Sequence, residues 1–378
     1  MEDRDNELSK LVDQLNRSAT GVKTSEKRSI DQLLSVALHN NASDIILMAG
    51  SPATLRVNGA LTADSGPALS AETIRTMLLP LLTADQAEEL QTRKCMDFCF
   101  VRGTTGRFRA NFHFQRGTLA ASIRLLPAQI PSLETLHLPA SLAMLTERRQ
   151  GLVLLTGATG CGKTSTMAAL IDRINANRRD HIITIEDPVE YQHTNRKSLV
   201  EQIELGYDTP SFAQAVRAVL RQDPDVILVG EMRDTETMAA ALTAAETGHL
   251  VLTSLHTNDA AQTVSRILDI FPSGYQSQIR QQLSLALLAV ISQQLLPAAN
   301  GIGRYPAVEI LVATSAMRNL IRRGDDHQLW ANIETGRSEG MLTMEQSLAE
   351  LVRAGRVSRE TAFAHCNHPE DLRRHLNG

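Results

Sequence analysis

The run Gly157-Ala-Thr-Gly-Cys-Gly-Lys-Thr164 leaves the chain around it few ways to fold. It fits G-x-x-x-x-G-K-[ST], and its flanks matter as much as the pattern itself. Leu152–Thr156 is an apolar run of strand length leading in, and Lys163–Ala176 leads out with helical composition. A strand, a glycine turn and a helix in that order curl backbone N–H groups around a phosphate, because glycine accepts the positive φ such a turn needs. The helix N-terminus adds partial positive charge. Gly157, Ala158, Thr159, Gly160, Cys161, Gly162, Lys163 and Thr164 are therefore the candidate nucleotide-binding residues. Lys163 is expected at the β- and γ-phosphates of ATP, and the Thr164 hydroxyl on Mg2+. Cys161 reads as a tolerated small residue; the alternative is an alkylation-sensitive thiol near a helix N-terminus.

The strand–helix alternation continues downstream. His181–Ile185, Val226–Val229 and His249–Ser254 read as strands, and Ser211–Arg221 and Asp234–Thr247 as helices. Ala140–Glu147 reads as a helix before the glycine loop, and the chain beyond about residue 310 as mostly helical. Apolar strands alternating with helices predict a parallel sheet covered on both faces.

Upstream, residues 29–127 read as a smaller α/β domain. Ile30, Leu33, Leu34 and Ala37 share one helical face. Asp44–Met48, Ala53–Val57, Asp97–Val101, Arg107–Phe114 and Ala120–Leu126 read as strands, with turns at Val57-Asn58-Gly59 and Gly103–Gly106. The stretch 71–91 reads as helical, broken at Pro80. Pro127, Pro131 and Pro139 mark 128–139 as a linker, so the second domain runs over 140–378. Two domains suit a chain of 378 residues. Residues 1–28, rich in charge, Ser, Thr and Asn, read as a mobile tail with a short helix over Leu8–Leu15.

Composition narrows the partners. A net charge of −4 and 3% aromatics argue against a dedicated nucleic-acid binder, which would reward basic patches and stacking platforms. Cys95, Cys99, Cys161 and Cys366 form no C-x-x-C pair and read as free thiols of a reducing cytosol. The charged N-terminus is no signal peptide. The longest apolar run, Leu285–Ile291, falls far short of the ~20 residues of a membrane span, so membrane work would be peripheral.

A phosphate cradle only binds; hydrolysis needs a positioned water and a metal-orienting acid. Val226–Val229 ends in Gly230-Glu231, which places Glu231 where it would face Mg2+ through water. His181–Ile185 leads into Glu186-Asp187-Pro188-Val189-Glu190, and carboxylates at a strand's C-terminal edge lie where open α/β sheets bind ligands. Spacing alone does not choose between Glu186 and Glu190 as the acid that orients water, and Glu186 is a second candidate near the metal. His249 and His256 bracket the strand Leu250–Ser254 and suggest a γ-phosphate sensor.

Taken together, the glycine loop, Thr184-Ile-Glu-Asp-Pro-Val-Glu190, Asp223–Asp234 and Thr247–Asn258 resemble the Walker A, Asp box, Walker B and His box of the secretion ATPases of type IV pili and type II secretion. Within them the chain is most similar to the type IV pilus retraction ATPases of twitching motility (the PilT/PilU family). The resemblance implies a RecA-like P-loop core, a smaller PAS-like N-terminal domain, a helical C-terminal region and a homohexamer. It assigns Glu190 to the attacking water, Glu231 to Walker B, and His256 with His249 to the sensor. It also matches Arg107, Arg109 and Arg124 to family arginines that reach the γ-phosphate across the domain cleft, where a guanidinium fork would neutralise developing charge.

Ala316-Met-Arg-Asn-Leu-Ile321 and the stretch from Gly340-Met341 to Leu351, with Thr343 and Leu348, resemble the retraction branch. So does the lack of a long N-terminal extension and of the tetracysteine motif of assembly ATPases. Departures are Ile46, where the family often has His, Cys161 in place of Ser, and the 28-residue leader. The resemblance implies a cytoplasmic motor at the inner face of the inner membrane, acting on a pilus platform protein, with related pilus ATPases as further candidate partners and no nucleic acid. The competing readings are a pilus assembly or type II secretion ATPase, a nucleic-acid translocase, and a nucleotide-binding regulator in which Glu190 and Glu231 are idle.

Overall fold

A computed structural model describes residues 29–377 apart from Asn58 and Thr104. The tail, the helix expected over Leu8–Leu15 and the centre of the Val57-Asn58-Gly59 turn lie outside the described residues. The chain divides into two units at Leu126/Pro127.

The first unit opens with α1 (Ile30–His39), started by Ser29 and Gln32 in a capping box, with Ile30, Leu33, Leu34 and Ala37 buried. Its six strands are β1 (Asp44–Leu47), β2 (Thr54–Val57), β3 (Ala60–Ala63), β4 (Cys95–Arg102), β5 (Gly106–Gln115) and β6 (Thr118–Leu125). They form an antiparallel sheet in the order β3-β2-β1-β6-β5-β4. The helical stretch is split at Pro80 into α2 (Ala71–Leu78) and α3 (Ala84–Arg93), joined by a 3-10 turn over Leu79–Leu81. Period-two alternation buries Phe108, Ala110 and Phe112 of β5 with Ile45 and Ile123 beneath the helices. Arg107, Arg109 and Asn111 take the other face. This is the PAS-like α/β arrangement the resemblance implied.

The second unit holds a seven-stranded sheet. Its strands are β7 (Gly151–Thr156), β8 (His181–Glu186), β9 (Leu199–Glu204), β10 (Val226–Val229), β11 (Leu250–Leu255), β12 (Leu287–Pro297) and β13 (Arg304–Val312). The order is β13-β12-β7-β11-β10-β8-β9, with every neighbouring pair parallel except β12–β13. The five inner strands follow the RecA-like order, and side chains of the inner strands alternate between two cores. Leu152, Leu154, Ile183, Ile227 and Val251 face one core with α5 (Phe212–Val219), α6 (Thr235–Glu246), α7 (Ala260–Asp269) and α8 (Ser273–Ala286). Val153, Leu155, Ile182, Leu228 and Leu252 face the other, with α4 (Lys163–Asn177). The helical C-terminal region follows as α9 (Ser315–Arg323), α10 (Leu329–Thr335), α11 (Met344–Arg353), α12 (Arg359–His365) and α13 (Pro369–Asn377).

Three expectations need amending. The stretch 128–139, expected as a linker, packs on the second unit: Leu133 and Leu138 are buried in its core. Ala140–Glu147 winds as 3-10 turns after Pro139. The edge strand β9 and the β12–β13 hairpin were not expected. β12 begins at once after α8, with no glycine or proline to mark the change. Arg318 makes that junction: its guanidinium donates to the carbonyls of Ala313, Ser284 and Leu285, capping the end of α8. Among the described residues, no helix is long and apolar enough to cross a membrane.

Candidate active site

The phosphate-binding loop leaves β7 and enters α4. Gly157, Gly160 and Gly162 hold φ of 138°, 79° and 94°, values that β-carbons oppose. The rim, Ala158 to Gly160, is exposed, while Gly157, Cys161 and Lys163 are buried. Lys163 Nζ donates to the carbonyls of Gly157 at 2.8 Å and Ala158 at 3.0 Å, which sets the ammonium in the curl of the loop. Burial lowers its pKa, opposed by the charges of Cys161 and Glu231. Thr164, half-buried, sits in the first turn of α4. Burial pushes the Cys161 thiol up, against the pull of Lys163 and the loop backbone, so the alkylation-sensitive reading loses its basis.

Glu231 follows β10 at the same edge. Backbone bonds fix its neighbours: Gly230 N–H donates to Ile185 O at 2.8 Å and Met232 N–H to Ser254 O at 3.2 Å. The Ser254 hydroxyl adds a bond of 2.7 Å to Gly230 O. The carboxylate then meets Arg233 Nε at 2.7 Å and His256 Nε2 at 3.5 Å. The acidic loop after β8 stands beside it. Glu186 is buried and accepts from the Thr184 hydroxyl at 2.7 Å, from Gln202 Nε2 at 3.2 Å and from the Glu190 N–H. Burial raises its pKa against these donors. With its lone pairs engaged inward, Glu186 braces the loop that carries half-buried Glu190. Tyr191 closes the brace, its hydroxyl 2.8 Å from Ser165 Oγ on α4 and its carbonyl taking Gln202 Nε2 at 2.8 Å.

The two histidines part company. His256 leaves β11 at the loop edge, whereas His249 precedes β11 and lies at the opposite edge, roughly 20 Å of strand away. Its Nδ1 bonds Ala244 O at 2.9 Å, tying the end of α6 to the sheet. Reading the two as one sensor overlooked that a strand separates what brackets it.

In the first unit, Arg109 on β5 stands directly opposite Arg124 on β6, with Arg107 two residues along the same face. Paired like charges are costly unless offset. Asp44 meets Arg124 Nε at 2.9 Å, and Asp97 lies 3.9 Å from Arg109 Nη2.

Sequence reasoning missed Tyr191, Gln202 and Gln293, the last on β12 with its side chain against the phosphate loop. Each works through strand pairing or a loop contact that no local motif marks.

A glycine phosphate loop, two acids and a histidine at the C-terminal edge of the parallel strands define a P-loop nucleoside triphosphatase. A family model described as type II/IV secretion system protein matches residues 119–364. A twitching motility protein of Neisseria gonorrhoeae is 46% identical over 319 residues, 84% of this chain and 85% of its own length. The type IV pilus retraction ATPase PilT of Pseudomonas aeruginosa is 41% identical over 343 residues, 91% of this chain and 99% of its own. A crystal structure of the pilus retraction motor PilT with bound ADP superposes with a TM-score of 0.86 at 44% identity, covering 92% of this chain and 99% of that one. The chain belongs to the type II/IV secretion ATPase family, in its pilus retraction branch.

Proposed function

We propose that this chain hydrolyses Mg-ATP to power type IV pilus retraction, as a homohexamer at the cytoplasmic face of the inner membrane. One observation carries the reading: Lys163, Glu231, His256 and the Glu186–Glu190 loop meet at one sheet edge, in a chain alike over most of its length to retraction motors.

The loop N–H groups and Lys163 bind the β- and γ-phosphates. Glu190 orients and polarises the attacking water, held out by the Glu186 brace. The donor set suits Mg2+, with the Thr164 hydroxyl and, through water, Glu231 as its protein partners. The ion would neutralise charge on the phosphates during transfer. His256, within reach of Glu231, senses the γ-phosphate. By the resemblance, Arg107, Arg109 and Arg124 supply guanidinium charge to the γ-phosphate. The motor's load is a membrane platform protein of the pilus machinery, with related pilus ATPases as further partners and no nucleic acid.

Phosphate release by the purified chain tests this. Mg-dependent turnover, abolished in K163A and in E190Q, with a particle of six chains in solution, is expected. No release above background from the wild-type chain would make it a nucleotide-binding regulator instead.

A further inference from the structure

The phosphate loop touches one residue that lies far away in sequence. Gln293 on β12 is buried, and its Nε2 donates to Cys161 O at 2.6 Å. Its Oε1 accepts from the Thr166 hydroxyl at 2.9 Å. Both ends of the amide are thus spent on the loop and on the first turns of α4. The parallel pairing of β12 with β7, Ser292 opposite Thr156, brings the next residue under the loop. A Cβ on Gly157 would stand 2.2 Å from Gln293 O, and one on Gly162 2.8 Å from Gln293 Nε2. Two glycines of the loop therefore also make room for the same glutamine.

We propose that Gln293 is a positioning residue of the nucleotide site: its amide aims the Cys161–Gly162 peptide and so sets the affinity of the loop for phosphate. The peptide is planar and trans, so its carbonyl and its N–H point in opposite directions. Holding Cys161 O toward Gln293 turns the Gly162 N–H away from it, at the N-cap residue of α4. A loop N–H fixed in direction before binding costs less to order when a phosphate arrives. Loss of the amide leaves a buried carbonyl unpaired, and the loop then relaxes. The effect falls on ground state and transition state alike, because both carry the same phosphates on the loop.

The inference rests on the P-loop reading above. The experiment measures ADP affinity by titration calorimetry and ATP turnover by phosphate release, for the full chain and for Q293M, Q293E and K163A. Methionine keeps the side-chain length without the amide; glutamate keeps an acceptor for Thr166 but opposes the Cys161 carbonyl. Both are expected to weaken ADP about tenfold or more and to raise KM for ATP by a similar factor, with kcat within threefold. Melting of the nucleotide-free protein is recorded beside each titration. ADP affinity within twofold of wild type in Q293M and Q293E, whatever the change in melting, overturns the inference while loss of binding in K163A keeps the site. ADP binding unaffected by K163A overturns both.

Discussion

The hydroxyls of Tyr191 and Ser165 lie 2.8 Å apart, joining the acidic loop after β8 to the helix that begins at the phosphate loop. Glu190, proposed to orient the water, and the phosphate loop follow different strands, and this bond is a direct side-chain tie between their segments. Burial raises the Tyr191 pKa, with the Ser165 bond opposing, so the phenol is neutral in the working range. Y191F should lower kcat three- to tenfold, with KM for ATP nearly unchanged and a stability loss of about 1 kcal/mol, the net worth of one such bond. Steady-state phosphate release and urea unfolding check both figures.

Glu186 and Glu190 should separate cleanly. Glu186, at the end of β8, accepts from Thr184 on its own strand, Gln202 on β9 and Glu190 in the loop, so E186Q replaces an acceptor with an amide that must donate among donors. Stability should fall by about 1–3 kcal/mol. E190Q should leave the fold intact and ATP binding near wild type while turnover drops by about 10²-fold or more. Denaturation curves and single-turnover hydrolysis tell the two apart, and a reversed pattern would move the water-orienting role to Glu186.

The histidines should divide in the same manner. H256A removes the imidazole 3.5 Å from Glu231 and should cut kcat about tenfold or more. H249A removes a bond to Ala244 O at the far edge and should alter melting, with kcat within threefold. Phosphate release from the two variants decides it.

Glu309 gives the chain a pH dependence of its own. Its carboxyl is buried on β13 and takes N–H bonds from Ala260 at the start of α7 and Met344 at the start of α11. Burial, with Asp259 and Glu345 close by, raises its pKa from 4.5 to about 7 despite those two donors. Between these values the unfolded chain is ionised while the folded chain keeps the proton. Folded-state stability therefore falls as pH rises through the window and levels off above it, by up to about 3 kcal/mol. E309Q should flatten this part of the profile. Urea unfolding at pH 5 and pH 7.5, compared between wild type and variant, measures the difference.

What the sequence made legible was local. The glycine loop, β7, β10 and the helix face of Ile30, Leu33, Leu34 and Ala37 each announce themselves within a few residues, through turn chemistry or hydrophobic period. What it hid was set by pairing at a distance. Gln293 is 132 residues from the carbonyl it holds, and only the register of β12 against β7 brings them together. The β12–β13 hairpin was concealed because Leu287 to Ile291 would suit a helix as well as a strand, and α8 hands over to it without punctuation. His249 misled for the opposite reason: nearness in sequence to His256 is undone by the extended strand between them.

Work done on pili is observed in cells. Lys163→Ala in the native host removes the ammonium from the phosphate loop, and surface pili are then counted by electron microscopy. Cells crowded with pili and unable to twitch are expected of a motor that retracts them. Bald cells would show a motor that builds pili and would contradict it.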